Sequence, residues 1–369
     1  MSTEKAILER RLSEKLARKS HDIVESIKHI ERTGQNLNDF LIPTRSLHFT
    51  NNNEVEITWP EPQSLEGTQH FKLHDNAVYQ LATRFGINAR DLRREASGSE
   101  WERKVFADRL NAYTQNVPKK NFLVRTVNDT AKAVLSDKYK RLNTAAIFMA
   151  FLTAAQKAGS VLVDANHGEL RDFAEVILPR VVEIPTEKNG IVFTVFGAQI
   201  RNSDFGASLL ELRIFQMNVV CLNGMVSQSM IKEKHLGSRI EETGAITFAQ
   251  ETVEADTKAR ALMVRDIMDS VYSEENLTRE RERIQEASTI ELDFQNEVKA
   301  LPKTGMLQGE VEMLNKALYE SDPENGLQGK NTLWKLAQGI THVANEVESA
   351  DRKRDLQDIA SGMMANFVK

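Results

Sequence analysis

The hydrophobic period changes twice along this chain, and that alone restricts it to a mixed α+β architecture. Apolar residues recur at three or four positions in the first third, alternate every second position through much of 121–220, and return to helical spacing beyond Ala249. NFLVRTV (121–127) and AKAVLS (131–136), separated by Asn128, Asp129 and Thr130, have the alternation and turn chemistry of a β-hairpin. A helix rich in Ala and Phe is expected from Thr144 to Lys157, and strands at 173–183, 191–201 and 209–220. Strands that follow one another without helices between them form an antiparallel meander, here with one inserted helix, and not a βαβ series.

Residues 3–33 form one amphipathic helix, because Leu12, Leu16, Ile23, Ile27 and Ile30 return at helical spacing and Gly34 supplies a stop. The step from Leu16 to Ile23 to Ile30 is heptad-like, yet Ser13 and Ser20 interrupt the companion seam, so the stripe serves either a contact between copies or the chain's own core. NNNEV and WPEPQ then break the pattern. The expected organisation is an N-terminal helix (1–34), a linker with a short strand (35–66), an α+β core (67–249) and a helical C-terminal region (250–369).

Composition narrows the function classes. With 369 residues, 41% of them hydrophobic, the chain can bury a substantial core. Its one cysteine, Cys221, allows neither an intrachain disulfide nor a cysteine zinc cluster, and its apolar setting in FQMNVVCLNGM predicts an inert buried thiol. The first residues mix charges with apolar side chains, unlike a signal peptide, and no window reaches the roughly 20 apolar residues that span a bilayer, so no membrane association is expected. Net charge is −5, but thirteen Lys/Arg against seven Asp/Glu between Arg90 and Arg141 leave that stretch at 13 − 7 = +6, whereas acidic residues dominate beyond Glu251. Local potential governs the binding of anions, so a basic middle is compatible with a polyanionic ligand.

Four segments carry a family resemblance: FKLHDNAVYQLATRFGI (71–87), FLVRTVNDTAKAVLSDKYKRLN (122–143), FGAQIRNSDFGASLLELRIFQMNVVCLNGMV (196–226) and NTLWKLAQGITHVANE (331–346). In order and spacing they resemble the phage/plasmid-like family, a domain of unknown function found on mobile genetic elements, over roughly residues 67–368. Its marks are a basic residue on a strand, an "AVLSD-Y" hairpin end, an "NSD-G" turn and a "V-C-NGM" turn. The resemblance implies a replicating mobile element in the cytoplasm of a bacterial host, often with recombination genes nearby.

The hairpin bears Arg125, Lys132, Lys138, Lys140 and Arg141, with Tyr139 inside the last cluster. Cations for phosphates interleaved with a ring for bases is how proteins grip single strands. Arg125 interrupts an apolar row, so its guanidinium needs an acceptor, either a carboxylate such as Asp137 or Glu211 or a ligand phosphate. NSDFG (202–206) and LNG (222–224) are turn chemistry, with a phosphate-binding nest beside Arg201 as the alternative. Lys232, Lys234, His235 and Arg239 follow on what reads as a basic loop.

Catalytic signals are weaker. His70 and His74 stand four apart but in an extended stretch, and Asp164, His167 and Glu169 share a polar loop, DANHGEL. No P-loop, G-x-G-x-x-G, H-E-x-x-H or G-x-S-x-G is present, so nothing requires an enzyme or a cofactor. The expectation is a homo-oligomeric protein that binds single-stranded DNA, or RNA, in the manner of a strand-annealing recombination protein. The alternative is a factor that binds a host or phage protein.

Overall fold

The computed structural model describes residues 5–14, 16, 17, 28, 30, 32, 36–60, 67–116, 121–139, 142, 144–220, 224–233, 250–319 and 327–367. The fold is α+β, with two mostly antiparallel six-stranded sheets.

Residues 35–66, expected as a linker with one short strand, contribute three strands instead: β1 (Leu37–Pro43), β2 (His48–Thr50) and β3 (Glu56–Pro60). The Asn run that reads as a breaker is the turn between β2 and β3, with Asn53 at φ 61°, and Phe49, Val55, Ile57 and Trp59 around it are buried. Strand β4 (Thr68–Leu73) and the expected hairpin, β5 (Asn121–Val127) with β6 (Thr130–Ser136), complete a sheet of order β1-β5-β6-β4-β3-β2. Its one parallel pairing joins β4 to β6. Helices α2 (Asp75–Phe85), α3 (Ala89–Ser97) and α4 (Glu100–Asn116) cap one face, burying Leu81, Leu92, Phe106 and Leu110 against Ile57, Trp59, Phe71 and Val124.

The second sheet is the expected meander. Strands β7 (Val161–His167), β8 (Asp172–Ile177), β10 (Ile191–Asn202), β11 (Leu210–Asn218) and β12 (Gly224–Glu233) follow in spatial order, and β9 (Val182–Pro185) pairs with β10. Two segments read as loops are strands: DANH lies in β7, and Lys232 lies in β12. Both are polar at alternate positions, which hid the pairing that β8 and β11 impose on them.

Helix α5 (Thr144–Lys157), the inserted helix, covers one face of this sheet together with α6 (Gln250–Val271). Ile147, Phe151, Val264 and Met268 meet Ala174, Val176, Ala198, Ile200 and Leu212 there. The other face has an apolar end under α1 (described over 5–14), whose Leu8 and Leu12 join Phe193, Val195, Phe215 and Met217. The described members of the expected stripe are therefore used within the chain, Leu12 and Leu16 against this face and Ile30 in the core under α5 and α6, while Ile23 and Ile27 lie outside the described residues. The helical C-terminal region, α7 (Glu274–Thr289), α8 (Phe294–Ala300), α9 (Gln308–Tyr319), α10 (Leu333–Glu346) and α11 (Ala350–Phe367), shares a core built from Leu314, Leu333, Leu336, Ile340 and Leu356. Helix α11 lies over the polar end of the second sheet.

Candidate nucleic-acid interface

Arg125 is the centre of a joint between the two sheets. It projects from β5 away from the helical cap and is 1% exposed. Its Nε and Nη2 donate to the two carboxylate oxygens of Asp39 on β1, at 2.7 and 3.0 Å, and its Nη1 donates to the Asp204 carbonyl of the β10–β11 turn. Burial alone would lower the guanidinium's pKa; the Asp39 hydrogen bonds and charge more than offset this and raise it. Tyr139 closes the joint: its ring lies 5.4 Å from the guanidinium, its hydroxyl donates to Ser203 O at 2.9 Å, and burial raises its pKa.

The NSDFG turn completes the arrangement. Phe205 packs on Ala133 and Leu135 of β6. Its carbonyl accepts from Asn76 Nδ2 at 3.1 Å and Gln80 Nε2 at 2.8 Å of α2. The amides of Phe205 and Ala207 both donate to Ser203 Oγ at 3.1 Å, so the turn's own side chain fills the nest that a phosphate would need. Gly206 sits at φ 70°, and a Cβ there would come within 2.7 Å of Leu135 Cδ2. Asp204 is pushed up to about 6, mainly by burial; Arg125 pulls it down, and Asp172 and Asp39 push it up. Residues from 71–87, 122–143 and 196–226 thus meet in one place, held by Asn76, Gln80, Arg125, Tyr139 and the turn itself.

Two more of the expected cations, Lys132 and Arg201, are engaged. Lys132 Nζ donates to Glu169 Oε1 at 2.8 Å; the same oxygen lies 2.7 Å from His74 Nε2, and these contacts, Lys132's first, hold Glu169 below the usual carboxylate range. Arg201 pairs with Glu211 and Asp358, each at 2.6 Å, and Arg213 pairs with the same two carboxylates. Lys138 is half-buried at the hairpin end. Lys140, Arg141, Lys234, His235, Arg239 and Cys221 lie outside the described residues, as does the Lys232 side chain. The expectation of one open basic face through Arg125, Tyr139, Lys132 and Arg201 is corrected accordingly: the carboxylates of Asp39, Glu169, Glu211 and Asp358 take up the positive charge, and the half-buried Tyr139 has its hydroxyl bonded to Ser203 O.

Two members of the expected hydrolytic trio stand apart, and the His167 side chain lies outside the described residues. Asp164 lies beneath α11 beside Arg354 and Lys353, at 3.3 and 3.4 Å, while Glu169 lies beside His74. His74 is the N-cap of α2, its Nδ1 accepting from Asn76 N at 3.1 Å, and His70 stands near Glu56 at 3.6 Å. Among the described residues no group of three His, Cys, Asp or Glu side chains is arranged to hold a metal ion.

A different surface carries exposed aromatic rings among cations. On α2, Tyr79 is 47% exposed, with the Arg93 guanidinium of α3 over its ring at 5.1 Å. Trp101, on the first turn of α4, is 72% exposed, whereas Trp59 and Trp334 are 1% and 3% exposed. A capping box fixes that turn: Ser99 N and Oγ each donate to Glu102 Oε2 at 2.8 Å, and Glu102 N donates back to Ser99 Oγ at 3.4 Å. Asn88 is the N-cap of α3, its Oδ1 accepting from Arg90 N and Asp91 N. Arg90, Arg93 and Arg94 are exposed on α3, and Lys104 shares the Trp101 face of α4 one turn on. Sequence reading passed over Trp101, although a tryptophan inside SGSEWERK, two residues after a capping serine, was the available signal.

Comparison with protein-family models finds no match, and comparisons with curated proteins and with solved structures likewise find none.

Proposed function

We propose that the chain binds single-stranded nucleic acid on the outer face of α2, α3 and α4, as a strand-annealing protein of a phage or plasmid does. The observation that carries this reading is Trp101, held outward by a capped turn and 72% exposed, with the Tyr79–Arg93 pair exposed on α2 and α3 of the same helical cap. Flat rings accept any base, and the exposed Arg90 and Arg94 of α3 and Lys104 of α4 are cations of the same cap that phosphates could reach. The resemblance to the phage/plasmid-like family supplies the mobile-element setting. Homo-oligomerisation would multiply such weak contacts along one strand.

Titration of a labelled strand of about 50 nucleotides at several salt concentrations tests the reading. Trp101→Ala should weaken binding by about 1–3 kcal/mol with little change in salt slope, whereas Arg94→Ala should lower the slope by about 0.7. No binding by the unmodified protein at low salt, or indifference to both substitutions, removes it.

One observation favours a second reading. Asp91, Glu100 and Asp108 are exposed on the same helices, so the rings stand amid both signs of charge. Trp, Tyr and Arg surrounded by mixed charge also compose the anchor of a protein interface. A host or phage protein bound there would be lost on Trp101→Ala and would show a much shallower salt dependence.

A further inference from the structure

We propose that Arg93 meets a base and not a phosphate, with Asp75 as the residue that positions it, so that the strand taken by the helical cap must carry unpaired bases. The proposal rests on the single-strand reading above and divides the labour among its cations.

Arg90, Arg93 and Arg94 are all exposed and stand within one turn of each other on one face of α3. Like charges at that spacing repel, so the cluster costs stability unless anions answer it. The chain itself answers Arg93: its Nη2 lies 2.8 Å from Asp75 Oδ2 on the first turn of α2, while Arg90 and Arg94 form no ion pair among the described residues. Tyr79, whose ring centre is 5.1 Å from the same guanidinium, stands one turn beyond Asp75, so a single helix supplies both supports. An exposed ion pair of this kind adds little stability, and its consequence is orientation.

That orientation decides what Arg93 can bind. The Asp75 carboxylate is 62% exposed and repels a phosphate that approaches its partner. Yet the Arg93 side chain is 44% exposed and Tyr79 is 47% exposed, so the pair keeps surface open to a ligand. A planar group whose charge is already answered suits the face of an unstacked base, which guanidinium planes and aromatic rings both accept. Paired bases, stacked inside a duplex, offer no such face. Arg90 and Arg94 are left for the phosphates on either side.

The test uses the full chain and two labelled strands of about 50 nucleotides, one ordinary and one whose sugars carry no bases, titrated at several salt concentrations. On the ordinary strand Arg93→Ala should weaken binding about five- to a hundredfold with the salt slope unchanged. Arg93→Lys, which keeps the charge but has no plane, should do the same. On the base-free strand neither should matter, whereas Arg94→Ala should lower the slope by about 0.7 on both strands. Asp75→Asn releases the guanidinium to a phosphate and should raise the slope by about 0.7. Indifference to Arg93→Ala, a lower slope on both strands in that variant, or full binding by Arg93→Lys overturns the proposal. An Asp75→Asn protein with the parent's slope overturns the positioning role. In each of these outcomes the parent still binds and Trp101→Ala still weakens it; a parent that does not bind at low salt removes the single-strand reading, and this proposal with it.

Discussion

Replacing Asp204 by asparagine keeps the outline of the 202–207 turn and removes a charge from the joint between the sheets. The perturbation is narrow, because Arg125 holds on to the Asp204 backbone carbonyl and to both oxygens of Asp39. The folded-state pKa is about 6 against an ordinary 3.8, a rise of 6 − 3.8 = 2.2. A carboxyl group raised in the folded state opposes folding once ionised: the penalty is absent below the unfolded pKa, grows as pH rises from about 4 to 6, and is complete above 6. At about 1.36 kcal/mol per unit it reaches roughly 3 kcal/mol near neutral pH and about 1 kcal/mol near pH 4.5. The side chain is 15% exposed, and the water that reaches it places the true value at or below these figures. Asp204→Asn should therefore be more stable than the parent by about 2–3 kcal/mol at pH 7.5, and by about a third of that at pH 4.5. Urea unfolding of both proteins at the two pH values measures this. A variant less stable than the parent at pH 7.5, or a difference that does not change with pH, refutes the reasoning.

Arg125→Ala strands Asp39 without its buried partner and is expected to cost about 3–5 kcal/mol in denaturant unfolding; a loss under about 1 kcal/mol would show that the joint does not depend on the pair. Gly206→Ala combines a left-handed backbone with a contact at 2.7 Å to Leu135 Cδ2, so a loss of about 2–4 kcal/mol and a lower melting temperature are expected. Iodide should quench Trp101 fluorescence while Trp59 and Trp334 stay protected, and Trp101→Phe should abolish nearly all quenching; equal quenching in both proteins would mean that the capped turn does not hold the ring outward.

The alternation of 121–136 and 191–218 was enough to place the hairpin and the meander, because each strand there has one face against apolar helices. Strands β1–β3 were not legible: three asparagines and a proline-rich stretch dominate the local signal, and only the hairpin β5–β6, some 80 residues on, supplies the partner that makes β1 a strand. The basic surface failed for a related reason. A charge count along the chain knows nothing of pairs such as Arg125–Asp39, 86 residues apart, or Arg201–Asp358, 157 apart. Part of the acidic excess of the C-terminal third answers cations of the second sheet and its turns, because Asp355 and Asp358 of α11 reach back to Arg171, Arg201 and Arg213.

That closure by α11 has a consequence for the order in which the chain can fold during synthesis. The first sheet and its cap draw on residues 37–136 and can begin to consolidate while the remainder is still being made. The second sheet cannot. Glu175 and Arg213, 3% and 7% exposed in the finished protein, find Arg354 and Asp358 only after more than 130 further residues have been added. Until then the polar strip stays hydrated and the meander lacks its cover, leaving apolar strands open to neighbours. The nascent chain is thus most prone to aggregation between the appearance of β11 and that of α11, and a chaperone acting on it would be needed in that interval.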